Sequence, residues 1–309
     1  MNPSLSKVVV ILGVTASGKT DLAIKLAHKF NGEIVSADSR QVYKEFDIGT
    51  AKPQGHWMTV GGSREFMSGG IIHYLVDVVD PKEDFTLASY QKSAIEKLKD
   101  IARRGRLPFL VGGTALYLKA VLENWGIPSV EPNPGLRRKL ENKNVAELFA
   151  DLKKKDPEAA AITGAANKRR IIRALEVIHQ TGRKFSEQRK IGRPIFDALK
   201  IGPKITRAEL AAKITRRTNE MMKNGLMEEI NRLRKKYAWD LVPMQSIDYQ
   251  EFKDFFEGKK TITETIKTIN AHHLAYAKRQ MTWFKKDKDI NWVSSPKEAE
   301  EKVKSFLKK

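Results

Sequence analysis

The sequence predicts an α/β fold, a parallel sheet flanked by helices, that carries an inserted all-helical lobe. Three observations predict it. Short β-branched runs alternate with helical periodicity through roughly the first 120 residues. A glycine-rich loop joins the first apolar run to the first helix. Beyond a break at 126–134, with prolines at 128, 132 and 134, every periodic stretch up to about Thr181 is helical.

Val8 to Leu12 is apolar and β-branched, which suits a strand buried on both faces of a parallel sheet. Leu22, Ile24, Leu26, Ala27 and Phe30 recur at helical spacing and are closed by Asn31-Gly32, a stop signal. Glu33 to Ser36 and Leu107 to Val111 read as further strands, with a helix from Ser89 to Arg104 between them. Leu75 to Asp80 alternates as a strand could. Helical period returns over 207–236 and 261–284. The expected division is a catalytic core of 1–122 and 199–309, interrupted by a helical insertion at 123–198.

Of 309 residues, 57 are Lys or Arg and 37 Asp or Glu, a formal charge of +20, while 41% are hydrophobic. A core is therefore affordable, and the charge excess suits a polyanionic partner such as nucleic acid, although solvated helix faces account for part of it. No apolar run approaches the roughly 20 residues that span a bilayer, and no basic-then-apolar leader opens the chain. With no Cys, disulfides and thiolate zinc sites are excluded. A cytoplasmic protein without membrane attachment is expected.

Gly13-Val14-Thr15-Ala16-Ser17-Gly18-Lys19-Thr20 fits the phosphate-loop pattern of Gly, four residues, then Gly-Lys-Ser/Thr, and it sits between a strand and a helix as the mechanism requires. Glycines let the backbone wrap a phosphate chain, its N–H groups and the helix N-terminus stabilise the anion, Lys19 adds a point charge, and the Thr20 hydroxyl can ligate Mg²⁺. The fold is thus expected to be like that of P-loop nucleotide-binding proteins. A metal-holding aspartate at the end of an apolar strand, which hydrolases and kinases add, is not evident; Asp77 and Asp80 are weak candidates. Asp38 follows the second strand and should reach the crevice at the strands' carboxyl ends, where it could act as a general base. An Asx-type cap after a strand is the competing reading of the same residue.

Several stretches together resemble the tRNA dimethylallyltransferase (IPP transferase) family. They are Gly13 to Thr20, Asp38-Ser-Arg-Gln-Val-Tyr43, Asp47 to Pro53, His73 with Asp80-Pro81, Val111-Gly-Gly-Thr114 with Leu116-Tyr117, Arg170 to Glu176, and Arg279-Gln-Met-Thr-Trp-Phe284. The resemblance implies transfer of a dimethylallyl group from its diphosphate to N6 of adenosine 37 in tRNAs that read codons beginning with U. It implies that Gly13 to Thr20 hold the diphosphate and Mg²⁺, that Asp38 takes the amine proton, and that Arg217 faces the diphosphate. It also implies tRNA contacts from Asp38, Ser39, Arg40, Gln41, Thr114, Arg137, Arg169, Arg170, Ile171, Ile172 and Arg173. The partners expected are the tRNA anticodon stem-loop and dimethylallyl diphosphate, with no obligate protein partner and a monomeric chain.

Some positions depart from that pattern. Ala115 stands where glycine commonly follows Gly-Gly-Thr, Asn167 where aspartate is common, and Asp248 replaces the glycine of an expected Gly-Tyr-Lys-Glu. Between Lys168 and Arg193 nine Lys or Arg (168, 169, 170, 173, 183, 184, 189, 190, 193) face two acids, Glu176 and Glu187, which suits a stripe that grips RNA phosphates. The alternative activity is that of a P-loop nucleoside or small-molecule kinase, which would turn over ATP.

Overall fold

A computed structural model describes residues 5–128, 130–131, 133–188 and 190–309. Pro132 and Arg189, both singled out above, lie outside the described residues. The first half contributes β1 (Ser6–Leu12), α1 (Lys19–Lys29), β2 (Gly32–Ser36), β3 (His56–Val60), β4 (Ser63–Ser68), β5 (Ile71–Tyr74), α2 (Leu87–Arg103), β6 (Leu107–Gly112) and α3 (Ala115–Leu122). Contacts divide the chain into two compact units, residues 1–122 with 195–309, and residues 123–194.

The second unit is helical: α4 (Pro134–Glu141), α5 (Val145–Lys155), α6 (Pro157–Thr163), α7 (Lys168–Thr181) and α8 (Phe185–Gln188). Its own core contains Leu140, Leu148, Leu152, Ile171, Ile172 and Leu175. Asp156, fully buried, caps α6 through Ala159 N–H and also accepts from the Ser186 N–H and hydroxyl, which fixes α8 to the α5–α6 turn. An antiparallel bridge between Trp125 and Ile191 brings the unit's two chain ends side by side.

The chain returns through β7 (Phe196–Pro203), α9 (Arg207–Lys223), α10 (Leu226–Lys236), α11 (Ile247–Gln250), α12 (Phe252–Phe256), α13 (Ile262–Phe284), β8 (Asn291–Val293) and α14 (Pro296–Lys308). The expected boundary at 198 falls inside β7: Phe196 pairs with Ser6 and Ala198 with Val8, so 196–198 belong to the sheet. Strand order is β3-β4-β5-β2-β6-β1-β7-β8. From β5 to β8 all pairings are parallel; β3, β4 and β5 pair antiparallel at one edge. The predicted parallel α/β sheet is thus borne out, with an antiparallel edge added.

Val8 to Ile11 of β1 are wholly buried, because helices cover both faces. One face packs Val8 and Val10 with Tyr90, Leu98, Tyr117 and Leu118 of α2 and α3. The other packs Val9 and Ile11 with Leu22 and Leu26 of α1 and Val303 of α14. A third apolar cluster joins residues 42–46 to α10, α11 and α13 through Phe46, Ile230, Tyr249 and Ile269. The alternating stretch at 75–80 is not a strand, for Leu75 and Asp77 adopt positive φ and only Val79 bridges, to Tyr43. Two left-handed residues in six break the pleat that alternation requires.

His73 of β5 pairs with Ile34, is 3% exposed, and has an Nε2 with no hydrogen-bond partner. Burial pushes its pKa down to about 4 from 6.5. The unfolded chain therefore binds this proton more readily, so the stability at stake is complete above pH 6.5 and is lost as pH falls toward 4. Urea unfolding at about pH 7.5 and about pH 5 should show a difference that shrinks by about 2 kcal/mol in a His73→Gln variant. An undiminished difference would show that His73 is not the acid-sensitive group.

Candidate active site

Three adjacent parallel strands, β2, β6 and β1, end side by side and deliver Asp38, Thr114 and the phosphate loop to one crevice. β6 lies between the other two, an arrangement that requires close backbone approach. A Cβ on Gly112 would sit 2.1 Å from the Ala37 carbonyl oxygen, so only glycine fits there. Ala37 N–H donates to Val111 at 2.7 Å, and Thr114 N–H to Ala37 at 3.2 Å. The Thr114 hydroxyl in turn accepts from Ser39 N–H at 3.2 Å, which fixes the start of the Asp38 loop.

In the phosphate loop, Ala16 and Gly18 have left-handed φ values of 59° and 86°, and α1 begins at Lys19 with no side-chain cap. The orphan N–H groups of its first turn are left facing the loop. Ser17 is buried, and its Oγ has no partner. The Thr20 hydroxyl takes no hydrogen bond among the described residues. These unpaired polar atoms suit an anion and its counter-ion. Among the described residues no three carboxylate or imidazole groups converge on a metal, so a Mg²⁺ would draw on Thr20 and on phosphate oxygens, its usual manner of binding.

Lys19, Asp38 and Arg217 come together around this loop. Loss of water contact lowers the pKa of Lys19; Asp38 pulls it partly back up, and Arg217 adds to the lowering. Arg217, from α9, donates through Nη1 to the Thr15 hydroxyl at 2.9 Å, while its Nε is buried without a partner. Asp38 Oδ1 accepts from Arg40 N–H at 2.9 Å and Gln41 N–H at 3.3 Å, the Asx turn foreseen as its competing role. Oδ2 takes no hydrogen bond among the described residues, so turn and base are compatible. Tyr117 and Tyr276 flank this carboxylate: burial and then Asp38 raise Tyr276 to about 12, and burial foremost, with the charges of Tyr43 and Asp38, raises Tyr117.

Gln280 of α13 was not singled out by sequence, yet it spans the site. Its Oε1 accepts from Thr15 N–H and its Nε2 donates to the Gly113 carbonyl, both at 2.9 Å. The only signal was its place in the Arg279 to Phe284 stretch. Asp77, a weak metal candidate, is taken by Lys52 at 2.7 Å and Trp57 at 3.1 Å. Asp80 accepts from Lys82 N–H.

The residues expected to touch tRNA divide into distinct groups. Gln41 donates its side chain to the Thr50 and Ala51 carbonyls, and Arg40 donates to the Val242 carbonyl, so both brace the core. In the helical unit, Arg137 and Arg173 both bind the fully buried Glu176, at 2.8 and 2.7 Å. Burial alone would raise that carboxyl; bonds from Arg137, Asn133 N–H and Arg173 outweigh it and hold the pKa low. Ile171 and Ile172 are core residues of the helical unit, 0% and 6% exposed, so of the 169–173 segment it is the arginines that reach solvent. Arg169 and Arg170 are exposed, with no carboxylate partner among the described residues. Asn167 caps α7 through Arg170 N–H at 3.1 Å, as the more usual aspartate would.

Residues 41–287 match the family model described as IPP transferase. The chain belongs to the IPP transferase family. The tRNA dimethylallyltransferase of Roseiflexus sp. (strain RS-1) is 45% identical over 283 residues, 90% of each chain. The crystal structure of the full-length tRNA isopentenylpyrophosphate transferase from Bacillus halodurans is similar at 35% identity and a TM-score of 0.69, with 98% of this chain and 96% of that one covered. A eukaryotic dimethylallyltransferase solved acting on tRNA gives 29% identity and a TM-score of 0.76 over 90% of this chain and 69% of the other. The family resemblance drawn from the motifs is therefore borne out. Among the described residues no helix is long and apolar enough to cross a membrane.

Proposed function

We propose that this chain transfers a dimethylallyl group from dimethylallyl diphosphate to N6 of adenosine 37 in tRNAs reading codons beginning with U. The observation that carries the reading is the convergence of Lys19, Arg217 and Asp38 on one phosphate loop. The allylic C1–O bond breaks, the C1–N6 bond forms, diphosphate leaves, and the N6 proton passes to Asp38 Oδ2. Charge builds on the departing diphosphate, so loop N–H groups, Lys19 and Arg217 supply the largest stabilisation. Mg²⁺, held by Thr20, would neutralise further charge on the same oxygens when bound. The amine becomes acidic only as it alkylates, so a carboxylate can take its proton late in the step.

The target base must leave its stack to reach this crevice, and basic groups must hold the flanking backbone. The helical unit 123–194 supplies exposed Arg169 and Arg170 for that purpose, with Arg137 and Arg173 anchored by Glu176. Ser39 and Thr114, hydrogen-bonded to each other beside Asp38, would meet the RNA there. A monomer in the cytoplasm completes the proposal. Purified protein incubated with radiolabelled dimethylallyl diphosphate and unmodified tRNA should label the tRNA without ATP. Turnover of ATP with a nucleoside, and no label in tRNA, would favour kinase chemistry instead.

Replacing Arg169 and Arg170 by Gln should weaken tRNA binding and leave diphosphate affinity intact. The slope of log K against log salt should fall by roughly 0.7 to 0.9 per phosphate contact removed. Lys302→Gln with Lys304→Gln on α14 is the control for bulk charge. Equal losses from the two double variants would remove the specific role of the arginines.

A further inference from the structure

The buried pair Asp248 and His273 takes no part in the chemistry above. Asp248 occupies the position where the family pattern leads one to expect glycine, and a carboxylate only 4% exposed needs a partner. Its partner is His273, 5% exposed, whose Nε2 lies 2.8 Å from both carboxylate oxygens. Because the carboxylate accepts, the proton of the pair sits on Nε2. On its other side the ring meets Arg217, whose Nη2 is 3.3 Å from both Nδ1 and Nε2. With Nε2 donating to Asp248, Nδ1 is the ring nitrogen left to accept, and Arg217 Nη2 lies within reach of it. Arg217 then continues to Thr15 of the phosphate loop. The neighbouring Thr218 hydroxyl donates to Asn270 at 2.8 Å, which keeps α9 and α13 in register at this level.

We propose that Asp248 and His273 are positioning residues that hold Arg217 over the phosphate loop before substrate arrives. The inference rests on the reading of Arg217 as a diphosphate ligand. A free arginine side chain loses rotamer entropy when it grips an anion, whereas one already fixed between His273 and Thr15 binds without that loss. Both residues act through Arg217 and touch no reacting atom.

The test is a mutant cycle read on binding of inorganic diphosphate with Mg²⁺ by calorimetry, together with KM and kcat for dimethylallyl diphosphate and Kd for tRNA. His273→Ala should raise the diphosphate Kd and the dimethylallyl diphosphate KM about tenfold, with tRNA affinity unchanged. His273→Gln, whose amide still donates to Asp248, should recover most of the loss. In an Arg217→Ala background, His273→Ala should change diphosphate Kd by no more than about twofold. Asp248→Asn keeps the shape of the pair and removes its charge, so it should shift diphosphate Kd in the same direction even where His273→Ala lowers the thermal midpoint. Equal His273→Ala losses with and without Arg217, or no loss with Arg217 present, would overturn the proposal while leaving Arg217 a ligand. An Arg217→Ala protein that binds diphosphate like the parent would instead overturn the reading of Arg217, and this proposal with it.

Discussion

Lys19→Ala is expected to slow prenyl transfer by about 10²-fold or more, because a charge aimed at a leaving diphosphate in a water-poor site is worth about 3 kcal/mol. Lys19 stands at the first position of α1, where the orphan N–H groups of the helix already favour an anion. The loss should fall on the chemical step and on diphosphate binding, and tRNA affinity should change little. The parent should also show a pH signature. Burial lowers the Lys19 pKa below 10.5, so its charge is lost earlier than an ordinary lysine's as pH rises, and diphosphate binding should weaken on the alkaline side accordingly. A Lys19→Ala enzyme with near-normal kcat at saturating diphosphate would remove the leaving-group role.

Asp38→Asn should lower kcat by roughly 10² to 10⁴. The asparagine Oδ1 can still accept from Arg40 and Gln41, so the turn after β2 survives and the effect isolates the second oxygen. What is lost is the acceptor for the N6 proton at Oδ2. Affinity for tRNA and for diphosphate should stay close to the parent's, since neither is held by that oxygen in this reading. A single-turnover rate matching the parent would show that the proton goes elsewhere.

The central sheet was legible because its middle strands are short apolar runs that end in glycine, as Val8 to Leu12 and Leu107 to Val111 are. The edges were not. β3 is exposed along nearly its whole length, so it shows no alternation, and the local hairpin signals at this edge were the Gly61-Gly62 and Gly69-Gly70 turns, all four glycines at positive φ. β7 carries Asp197 and Lys200 and owes its place to pairing with β1, and Lys200 is matched by Asp287 at 2.7 Å. Such a strand is decided by tertiary context that periodicity does not report. At the site, the loop and Asp38 were legible from local motifs, whereas Gln280 reaches Thr15 and Gly113 across 265 and 167 residues of sequence and His273 reaches Arg217 across 56. Ile171 and Ile172 show the converse. They lie in a motif beside arginines, and only their helical phase, once the core is seen, separates packing from contact.

The central claim is that diphosphate departure and N6 alkylation occur at one phosphate loop, with no ATP. The most direct measurement is single-turnover transfer from C1-labelled dimethylallyl diphosphate to two anticodon stem-loops that differ only at position 37, adenosine in one and guanosine in the other. Label confined to N6 of adenosine 37, released with one diphosphate per transfer and unaffected by ATP, is the predicted result. Equal labelling of both loops, or no labelling of either while ATP is consumed, would contradict it.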